Sequence, residues 1–494
     1  MKTTTTLIFG LAVLAGGGLV GCIDLDADLG AFAAPCSVDT DCREALVCDD
    51  GRCTTGLVGE GEGEGEGEGE GEGEVDPCIT AGQFEPGFSA ANNGSVPALG
   101  APVRCITGDV TLSGSVTAPE ALDGIEVIDG TLTVEGTTAL EVLRLRGLKR
   151  VTGDVFIGGF QVDVLDDSGF PTTNGNEALT AVELFNLVSL GGDLVIANND
   201  ALLRVDIARA AAALTIGGSL IVFENNRLDG DEVFDPDLNN DGGVSQLHLE
   251  EAGGSVLFWD NGFGADDQIV WRLVSLVRVG TGVATVDDPI RNRVHSYGQL
   301  EDRLPHGSVL YATTNRLALD RPVTVELPRL GVVSGGVGFN ITALTDVELP
   351  VLTSAGGLDV GSAEFARRVS APRLAELTGL PTTRINLALY LFDDPVLDTV
   401  ELPSLLRVTG AVFVKGTALT DLCGVAGLGA IAGGLSVEEN TAMVSLAGLG
   451  SVASIGGAVV VAGNNATLPA CQIEQLKAIA EDQHTTTCAI PLCN

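Results

Sequence analysis

The fold is decided by a phrase that is most complete at Leu190-Gly191-Gly192-Asp193-Leu194-Val195-Ile196-Ala197-Asn198-Asn199-Asp200-Ala201-Leu202. The phrase begins with an aliphatic residue, one spacer residue and a glycine. A small or acidic residue and a run of aliphatic residues follow the glycine. Aliphatic alternation favours a strand, and glycine suits a sharp corner at which a side chain would clash. Asparagine tolerates a left-handed turn, and its amide can bond nearby backbone. The phrase therefore predicts a corner, a strand and a turn.

The same phrase recurs along most of the chain. It is found at Ile106–Val110, Ile128–Leu132, Val151–Val155, Ile216–Leu220, Ala252–Val256, Val333–Val337, Val408–Val412, Ile431–Leu435 and Ile455–Val459. The glycines Gly108, Gly130 and Gly153 lie 22 and 23 residues apart. Fixed periods in this range are typical of a solenoid, in which each coil covers the apolar interior of the next. Unrelated β-rich domains that share common glycine turns are the alternative.

The phrase resembles that of the receptor L-domain family, the leucine-rich β-helices of insulin- and EGF-receptor-like ectodomains and their bacterial and fungal surface-protein relatives. Leu190–Leu202 and, in part, Ile455–Leu468 carry the resemblance. It covers residues 100–470, poorly between Gly262 and Arg329. The resemblance implies a mainly β, right-handed parallel β-helix of about 14 coils, spaced by about 4.8 Å. It specifies fold rather than function, because the motif residues are core and corner positions.

The amino terminus predicts export and lipidation. Lys2 supplies the basic region of a signal peptide, and Leu7–Val20 supplies its apolar run. Leu19-Val20-Gly21-Cys22 resembles the lipobox of bacterial lipoproteins. The resemblance implies that residues 1–21 are removed and that Cys22 becomes the acylated first residue. An ordinary signal peptide followed by a coincidental cysteine is the alternative.

Residue 23 bears on the membrane to which this anchor is sorted. It is Ile rather than Asp, so the best-known inner-membrane retention signal of such lipoproteins is absent. We therefore expect a lipid-anchored protein of the bacterial outer membrane. Whether it faces the periplasm or the cell surface stays open.

Ten of the eleven cysteines remain once Cys22 is assigned to the anchor, an even number in an exported chain. The disulfide candidates are Cys36, Cys42, Cys48, Cys53, Cys78, Cys105, Cys423, Cys471, Cys488 and Cys493. The first four predict a small module with two disulfides, whose pairing the sequence leaves open. Zinc is the competing interpretation, but paired Cys-x2-Cys spacing is missing.

Both ends of a solenoid need a cover, because an open sheet edge invites aggregation. Residues 470–482 predict a capping helix, since Ile473, Leu476, Ile479 and Ala480 fall on one helical face. The cysteines at the two ends of the repeat region are expected to pin the caps. The predicted organisation is therefore a signal peptide (1–21), an anchor segment (22–35), a Cys-rich module (36–54), a linker (55–77) and a β-solenoid with caps (78–494).

The linker contains an uninterrupted Gly-Glu alternation from Gly59 to Glu74, with eight glutamates. It has no apolar side chain to bury, and its charges repel one another. This composition predicts a spacer that holds the rest of the protein away from the membrane. A polyanion that collects calcium is the alternative.

The charge balance limits the partners. The chain has 67 acidic and 26 basic side chains, for a formal net charge of −41. Such a surface repels nucleic acid and anionic lipid headgroups. We therefore expect contact with the membrane through the lipid anchor only, no nucleic-acid partner, and a protein or glycan ligand.

One segment resembles a calcium loop. Asp237, Asn239, Asp241 and Gly242 match positions 1, 3, 5 and 6 of an EF-hand loop, and alternating oxygen ligands suit a hard cation. The match fails at the last ligand, where His248 stands instead of an acid. The sequence predicts no cofactor apart from this weak candidate for a structural calcium ion. A solvated acidic insert is the alternative.

Candidate catalytic groups are scattered. One group lies in the stretch where the repeat is least regular, and its members are Asp287, Asp288, Arg291, Arg293, His295, Tyr297 and His306. A second group consists of the acidic pair Asp393 and Asp394, with Arg384 nearby. Polysaccharide-acting β-helices use paired carboxylates or basic residues on one sheet face, but these residues do not recur on adjacent coils. Trp259 and Trp271 could stack on sugars, but tryptophans in a long solenoid are more often core or rim residues. We therefore expect a non-enzymatic binding or adhesion scaffold. A polysaccharide lyase or hydrolase and a purely structural envelope component are the alternatives.

Overall fold

The computed structural model describes residues 47–49, 52–54, 78, 84–99, 103–117, 119–159, 175–208, 213–225, 227–228, 246–259, 261, 269–273, 275–280, 309–312, 323–341, 343–379, 387–483 and 489–493. The chain divides into two compact units, Met1–Gly73 and Glu74–Asn494. In the first unit, Val47–Asp49 pairs antiparallel with Arg52–Thr54. The second unit is mainly β and consists of long parallel sheets, as a solenoid requires.

The first ladder of the second unit is a parallel stack of short strands. Each strand contains the aliphatic residue that precedes the glycine of the repeated phrase. Ile128, Val151 and Leu190 are therefore neighbours in register. Its strands, in order of pairing, are Cys105–Ser115, Val127–Asp129, Arg150–Val151, Ser189–Leu190, Leu214–Ile216, Leu249–Ala252, Arg278–Val279, Val332–Val333, Ser354–Ala355, Glu376–Leu377, Arg407–Val408, Ala430–Ile431 and Ser454–Ile455.

The second ladder carries the aliphatic run that follows the phrase glycine. Cys105–Ser115 belongs to both ladders, and Phe84–Asn92 pairs with it in parallel. The further strands of the second ladder are Leu132–Thr137, Val155–Gly158, Leu194–Ala197, Leu220–Phe223, Val256–Trp259, Val309–Ala312, Gly336–Asn340, Gly357–Gly361, Leu387–Phe392, Ala411–Lys415, Leu435–Glu438 and Val459–Ala462.

The third ladder consists of two shorter parallel sheets from the last part of each coil. The first sheet contains Val142–Arg144, Ala181–Leu184, Arg204–Ile207 and Gln246–Leu247. The second sheet contains Ile269–Arg272, Val323–Glu326, Leu344–Glu348, Arg368–Ser370 and Thr399–Glu401. Most buried leucines, valines and isoleucines of the three ladders form one continuous core, and Val195, Ala197, Ile221 and Phe223 form a second buried cluster.

Stacked glycines form the corner between the first and second ladders. A Cβ atom on Gly130 would lie 2.4 Å from the backbone carbon of Gly108, and one on Gly218 would lie 2.8 Å from that of Gly192. The neighbouring coil therefore leaves no space for a side chain. This confirms the predicted corner and gives its cause, which is the close approach of two coils.

The residue after each phrase glycine links neighbouring coils. The backbone N–H of Thr131 donates to Oδ1 of Asp109 across 2.8 Å, and that of Asp193 donates to Oδ1 of Asp154 across 2.8 Å. A small or acidic residue suits this position, because its oxygen must reach the next coil's backbone. The recurring Gly-Asp and Gly-Ser pairs are thus part of the stacking.

A polar ladder lies at the turn that ends each strand of the second ladder. Its members are linked from coil to coil by side-chain hydrogen bonds. The first series consists of the buried residues Thr137, Asn176, Asn199, Asn225 and Asn261, and the second consists of the buried Thr417 and Asn440 and the half-buried Asn464. The residue before several members has left-handed backbone, as at Asn198 with a φ of 54°. The predicted left-handed turn is therefore present, but the asparagine that follows Asn198 points inward.

A helix, α1, at Ala470–Ala480 packs on the last strands of the first and second ladders. Leu476 is buried in it, while Ile473 and Ile479 are partly buried against the core. Gln472 accepts a 2.7 Å hydrogen bond from the backbone of Leu446.

Short 3-10 helices lie at Asn93–Ser95, Glu120–Leu122 and Cys423–Val425. Within the described ranges, no helix has the length and apolar character needed to cross a bilayer.

Candidate functional site

The most unusual outer surface lies on two neighbouring strands of the second ladder, Leu387–Phe392 and Ala411–Lys415. Side chains alternate along a strand, so Leu389 and Leu391 lie in the core while Tyr390 and Phe392 face outward and are half-buried. Phe413 pairs with Tyr390 in register and shares its outward position. Three aromatic side chains are thus brought together in a chain in which aromatic residues are only 4%.

The ring of Tyr390 stacks on both phenylalanine rings, Phe392 and Phe413. The centroids of Tyr390 and Phe413 are 5.0 Å apart with an interplanar angle of 17°, and Tyr390 stacks on Phe392 at 5.5 Å. This offset arrangement is favourable for aromatic pairs. Because the rings cover parts of each other's faces, the cluster presents less open ring face to solvent than three isolated rings would.

Two further apolar side chains lie at the adjoining turn. Phe365 and Val396 are 45% and 40% exposed. Gly361 and Phe392 are paired in register, and Phe365 and Val396 lie four residues after them. Phe365 and Val396 are therefore neighbours on adjacent coils. We call Phe365, Tyr390, Phe392, Val396 and Phe413 the aromatic patch.

Charged groups border the aromatic patch. The Lys415 ammonium lies 5.8 Å from the centroid of Phe392, within the range of a cation–π contact. The same ammonium pairs with a carboxylate oxygen of Glu439 at 3.2 Å. Asp393 is exposed beside Phe392 and has a left-handed φ of 54°. The patch therefore combines an apolar centre with a charged rim.

Asp394 occupies a position of the polar ladder on the same coil. It is fully buried, and its Oδ1 accepts a 2.8 Å hydrogen bond from the backbone of Ala363. Its Oδ2 has no hydrogen-bond partner among the described residues. Burial, and secondarily the nearby Asp359 and Asp393, raises the pKa of Asp394 to about 8. The predicted acidic pair therefore divides into an exposed turn residue and a buried, protonated carboxyl.

A second group of charges lies on the third ladder. Arg368 donates to Glu348 at 2.6 Å and to Glu401 at 2.7 Å, so two carboxylates from neighbouring coils converge on one guanidinium. The hydrogen bond from Arg368 lowers the pKa of Glu401, and the hydrogen bond to Glu401 likewise raises the pKa of Arg368. All three side chains are more than a third exposed, on an open sheet face.

A similar cluster lies on the first sheet of the third ladder. Glu183 is buried between Arg144 and Arg204, with which it forms ion pairs. The hydrogen bond from Arg144 lowers the pKa of Glu183. The lowered pKa values of Glu401 and Glu183 suit an ion pair and do not suit a proton donor.

The structure places seven of the ten disulfide candidates. Cys78 bonds to Cys105, and Cys423 bonds to Cys493. Cys471 is also in a disulfide. Cys48 and Cys53 are directly opposite in the antiparallel pair of the first unit.

Several predicted site residues lie outside the described residues. These are the lipidation candidate Cys22, the disulfide candidates Cys36, Cys42 and Cys488, the calcium candidates Asp237, Asn239 and Asp241, the polar stretch 287–306, and Arg384. Trp259 and Trp271 lie in strands of the second and third ladders. Among the described residues, no group of three or more His, Cys, Asp or Glu side chains is placed to hold a metal ion.

Sequence reasoning missed the aromatic patch, although one signal for it was available. Tyr390 and Phe413 each stand two residues before another outward side chain in an alternating strand, Phe392 or Lys415. Aligning consecutive copies of the phrase on their inward aliphatic residues would have placed these rings side by side.

Comparison with known proteins adds no family to this description. No protein-family model matches the chain, and searches of curated proteins and of solved structures find no match.

Proposed function

We propose that this chain is a lipid-anchored protein of the bacterial outer membrane that serves as a non-enzymatic binding or adhesion scaffold. The aromatic patch carries the proposal. Interfaces between proteins typically combine an apolar centre rich in aromatic residues with a polar rim. Phe365 and Val396 supply exposed apolar surface, while Lys415 and Asp393 supply the rim.

A protein ligand suits this patch better than a glycan. Stacking on a sugar ring requires an open aromatic face, whereas Tyr390 and Phe413 partly cover each other. A protein can pack against ring edges and pair with the charged rim. The ligand is therefore a protein with apolar side chains, and a glycan is the alternative.

The proposed scaffold is a right-handed parallel β-helix of about 14 coils, similar to receptor L domains. The three ladders support this architecture, because consecutive strands of each ladder come from consecutive copies of the phrase. The helix Ala470–Ala480 is its C-terminal cap, supported by the burial of Leu476.

The proposed location follows from the amino terminus. Cys22 is the lipid-attachment residue, and the Gly-Glu linker spaces the solenoid from the membrane. Disulfides form and persist in oxidising compartments, so the Cys78–Cys105 and Cys423–Cys493 bonds support export.

The rival proposal is a polysaccharide lyase or hydrolase. The convergence of Glu348 and Glu401 on Arg368 is the observation that favours it. Glycoside hydrolysis, however, needs one carboxylic acid whose pKa is raised. The lowered pKa of Glu401 argues against that role. The buried Asp394 has a raised pKa but no exposed surface from which to reach a substrate.

Binding by the purified full-length protein in detergent micelles tests the proposal. Pull-down from envelope and host-surface protein fractions is paired with a glycan array, using wild type and the Tyr390→Ala/Phe413→Ala double variant. Val460→Ala removes an exposed side chain from the same ladder and is the matched control. We expect a protein ligand that the control retains and the double variant loses. Capture that the double variant retains in full, or turnover of a polysaccharide, contradicts the proposal.

A further inference from the structure

The second sheet of the third ladder ends at Thr399–Glu401. In the following coil a 3-10 helix, Cys423–Val425, replaces the strand. The backbone passes close there, since a Cβ atom on Gly424 would lie 1.6 Å from the carbonyl oxygen of Val400. The disulfide between Cys423 and Cys493 fixes this turn.

The end of the sheet leaves the interior of the coil open. Val325, Val347 and Val369 precede Val400 in register and are fully buried, whereas Val400 is only partly buried. The space beside it is a cavity of about 140 Å³. Its lining consists mainly of core side chains, Leu389, Leu391, Val400, Val412, Val414, Leu419, Leu422, Val425 and Leu449.

The rim of the cavity is acidic. Asp398, which is exposed, and Asp421, which is half-buried, line the opening together with Thr399 and Thr420. Asp421 Oδ1 accepts a 2.9 Å hydrogen bond from the backbone of Cys423, and Asp398 Oδ1 accepts a 2.7 Å bond from the Thr399 hydroxyl. The two carboxylates are thereby held at the opening.

The size and lining of the cavity define what it can hold. An apolar cavity of about 150 Å³ stays dry and binds benzene, so this cavity fits a group of about six carbon atoms. We propose that it binds a small amphiphile that places a six-carbon apolar group among the leucines and valines and an ammonium group between Asp398 and Asp421. The strongly negative chain disfavours a carboxylate at the same position.

Three probes of one shape test this proposal on the full-length protein: benzylammonium, benzyl alcohol and benzoate. Binding is measured by titration calorimetry and by the shift of the melting temperature. We expect benzylammonium to bind about fivefold more tightly than benzyl alcohol, and benzoate not to bind. In the Asp398→Asn/Asp421→Asn variant, benzylammonium should lose this preference and benzyl alcohol should bind as before.

Filling the cavity tests the apolar part separately. Val400→Phe places a ring in the space and should abolish binding of all probes, while Val460→Phe adds a ring on the outer surface and should leave binding unchanged. Should Val400→Phe fail to fold, Val400→Ile narrows the cavity by one methylene and should weaken every probe. Undiminished binding in the folded filling variants overturns the proposal, and equal affinity for benzylammonium and benzyl alcohol in wild type overturns the ammonium assignment.

Discussion

Asn199 donates its side-chain N–H to Oδ1 of Asn225 on the next coil, across 3.1 Å. Asn225 repeats the contact to Asn261 at 3.0 Å, and Asn440 repeats it to Asn464 at 3.1 Å. Each of these amides also bonds a backbone carbonyl of the preceding coil, as Asn199 does to Ile157. A buried polar group that keeps its partners on two neighbouring coils fixes their register.

Removing an asparagine from the middle of this hydrogen-bonded series should lower the stability of the folded protein. Asn225→Ala removes the acceptor of Asn199 and leaves a buried N–H without that bond, so we expect a loss of about 2 kcal/mol in the free energy of unfolding. Denaturant unfolding measures it. Asn465→Ala removes a side chain whose hydrogen bonds, to Thr441 and from Thr467, are all exposed to solvent, and this control should lose much less. Equal losses in the two variants would show that burial of the ladder contributes nothing.

Asp394 makes stability depend on pH. Its pKa is 3.8 in the unfolded chain and about 8 when folded, so the folded state holds the proton more tightly. Below pH 4 both states are protonated; between pH 4 and about 8 stability falls by about 1.4 kcal/mol per pH unit from this group, and above pH 8 it levels off.

Asp394→Asn should remove this dependence. The side chain of Asn440 donates to the backbone carbonyl of Val414 on the preceding coil. Val360 holds the same position relative to residue 394 as Val414 holds relative to Asn440, so an asparagine at 394 has an equivalent acceptor. The variant should therefore equal or exceed wild type in stability, with the difference growing from pH 4 to about pH 8 and constant above that. Melting curves across this range provide the measurement, and parallel curves for the two proteins would refute the assignment.

The glycine corner predicts a sharp contrast between two conservative substitutions. Gly130→Ala would place a Cβ atom 2.4 Å from backbone, whereas at Gly331 the nearest atom is 3.7 Å away. Overpacking of this kind costs about 1–3 kcal/mol. Gly130→Ala should lower the free energy of unfolding by this amount and Gly331→Ala should not. The idea of a steric corner fails if both variants are equally stable.

The disulfide that closes the longer loop should contribute more stability. Cys423 and Cys493 are 70 residues apart, and Cys78 and Cys105 are 27 apart. Chain entropy predicts a loss of about 4 kcal/mol for Cys423→Ser/Cys493→Ser and a smaller loss for the other pair. Denaturant unfolding of both double variants makes the comparison, and the reverse order would contradict the entropic explanation.

Much of the scaffold is predictable because the repeated phrase recurs at a regular spacing along the sequence, which gives the length of one coil. Gly108, Gly130 and Gly153 mark consecutive corners, and the alternation after each glycine marks a strand. The burial of Asn199 was not predictable in the same way, since one coil alone does not show whether an asparagine at a turn faces water or another asparagine. Its partner is supplied by a residue 26 positions away.

The candidate site was hidden by uneven coil lengths. Phe365 and Val396 are neighbours although 31 residues separate them, while Tyr390 and Phe413 are separated by 23. Inserts of this kind shift the register that a fixed period would suggest. The cavity beside Val400 depends on where the third ladder ends, which is a property of the assembled sheet rather than of a motif.

The most direct test of the central claim combines binding and product analysis in one experiment. The full-length protein is titrated with the ligand recovered by pull-down, and the ligand is then examined by mass spectrometry. We expect an intact ligand and an affinity that falls by at least about tenfold in the Tyr390→Ala/Phe413→Ala variant, with no change in Val460→Ala. A cleaved ligand, or undiminished affinity in the folded double variant, would contradict a non-enzymatic scaffold that binds through the aromatic patch.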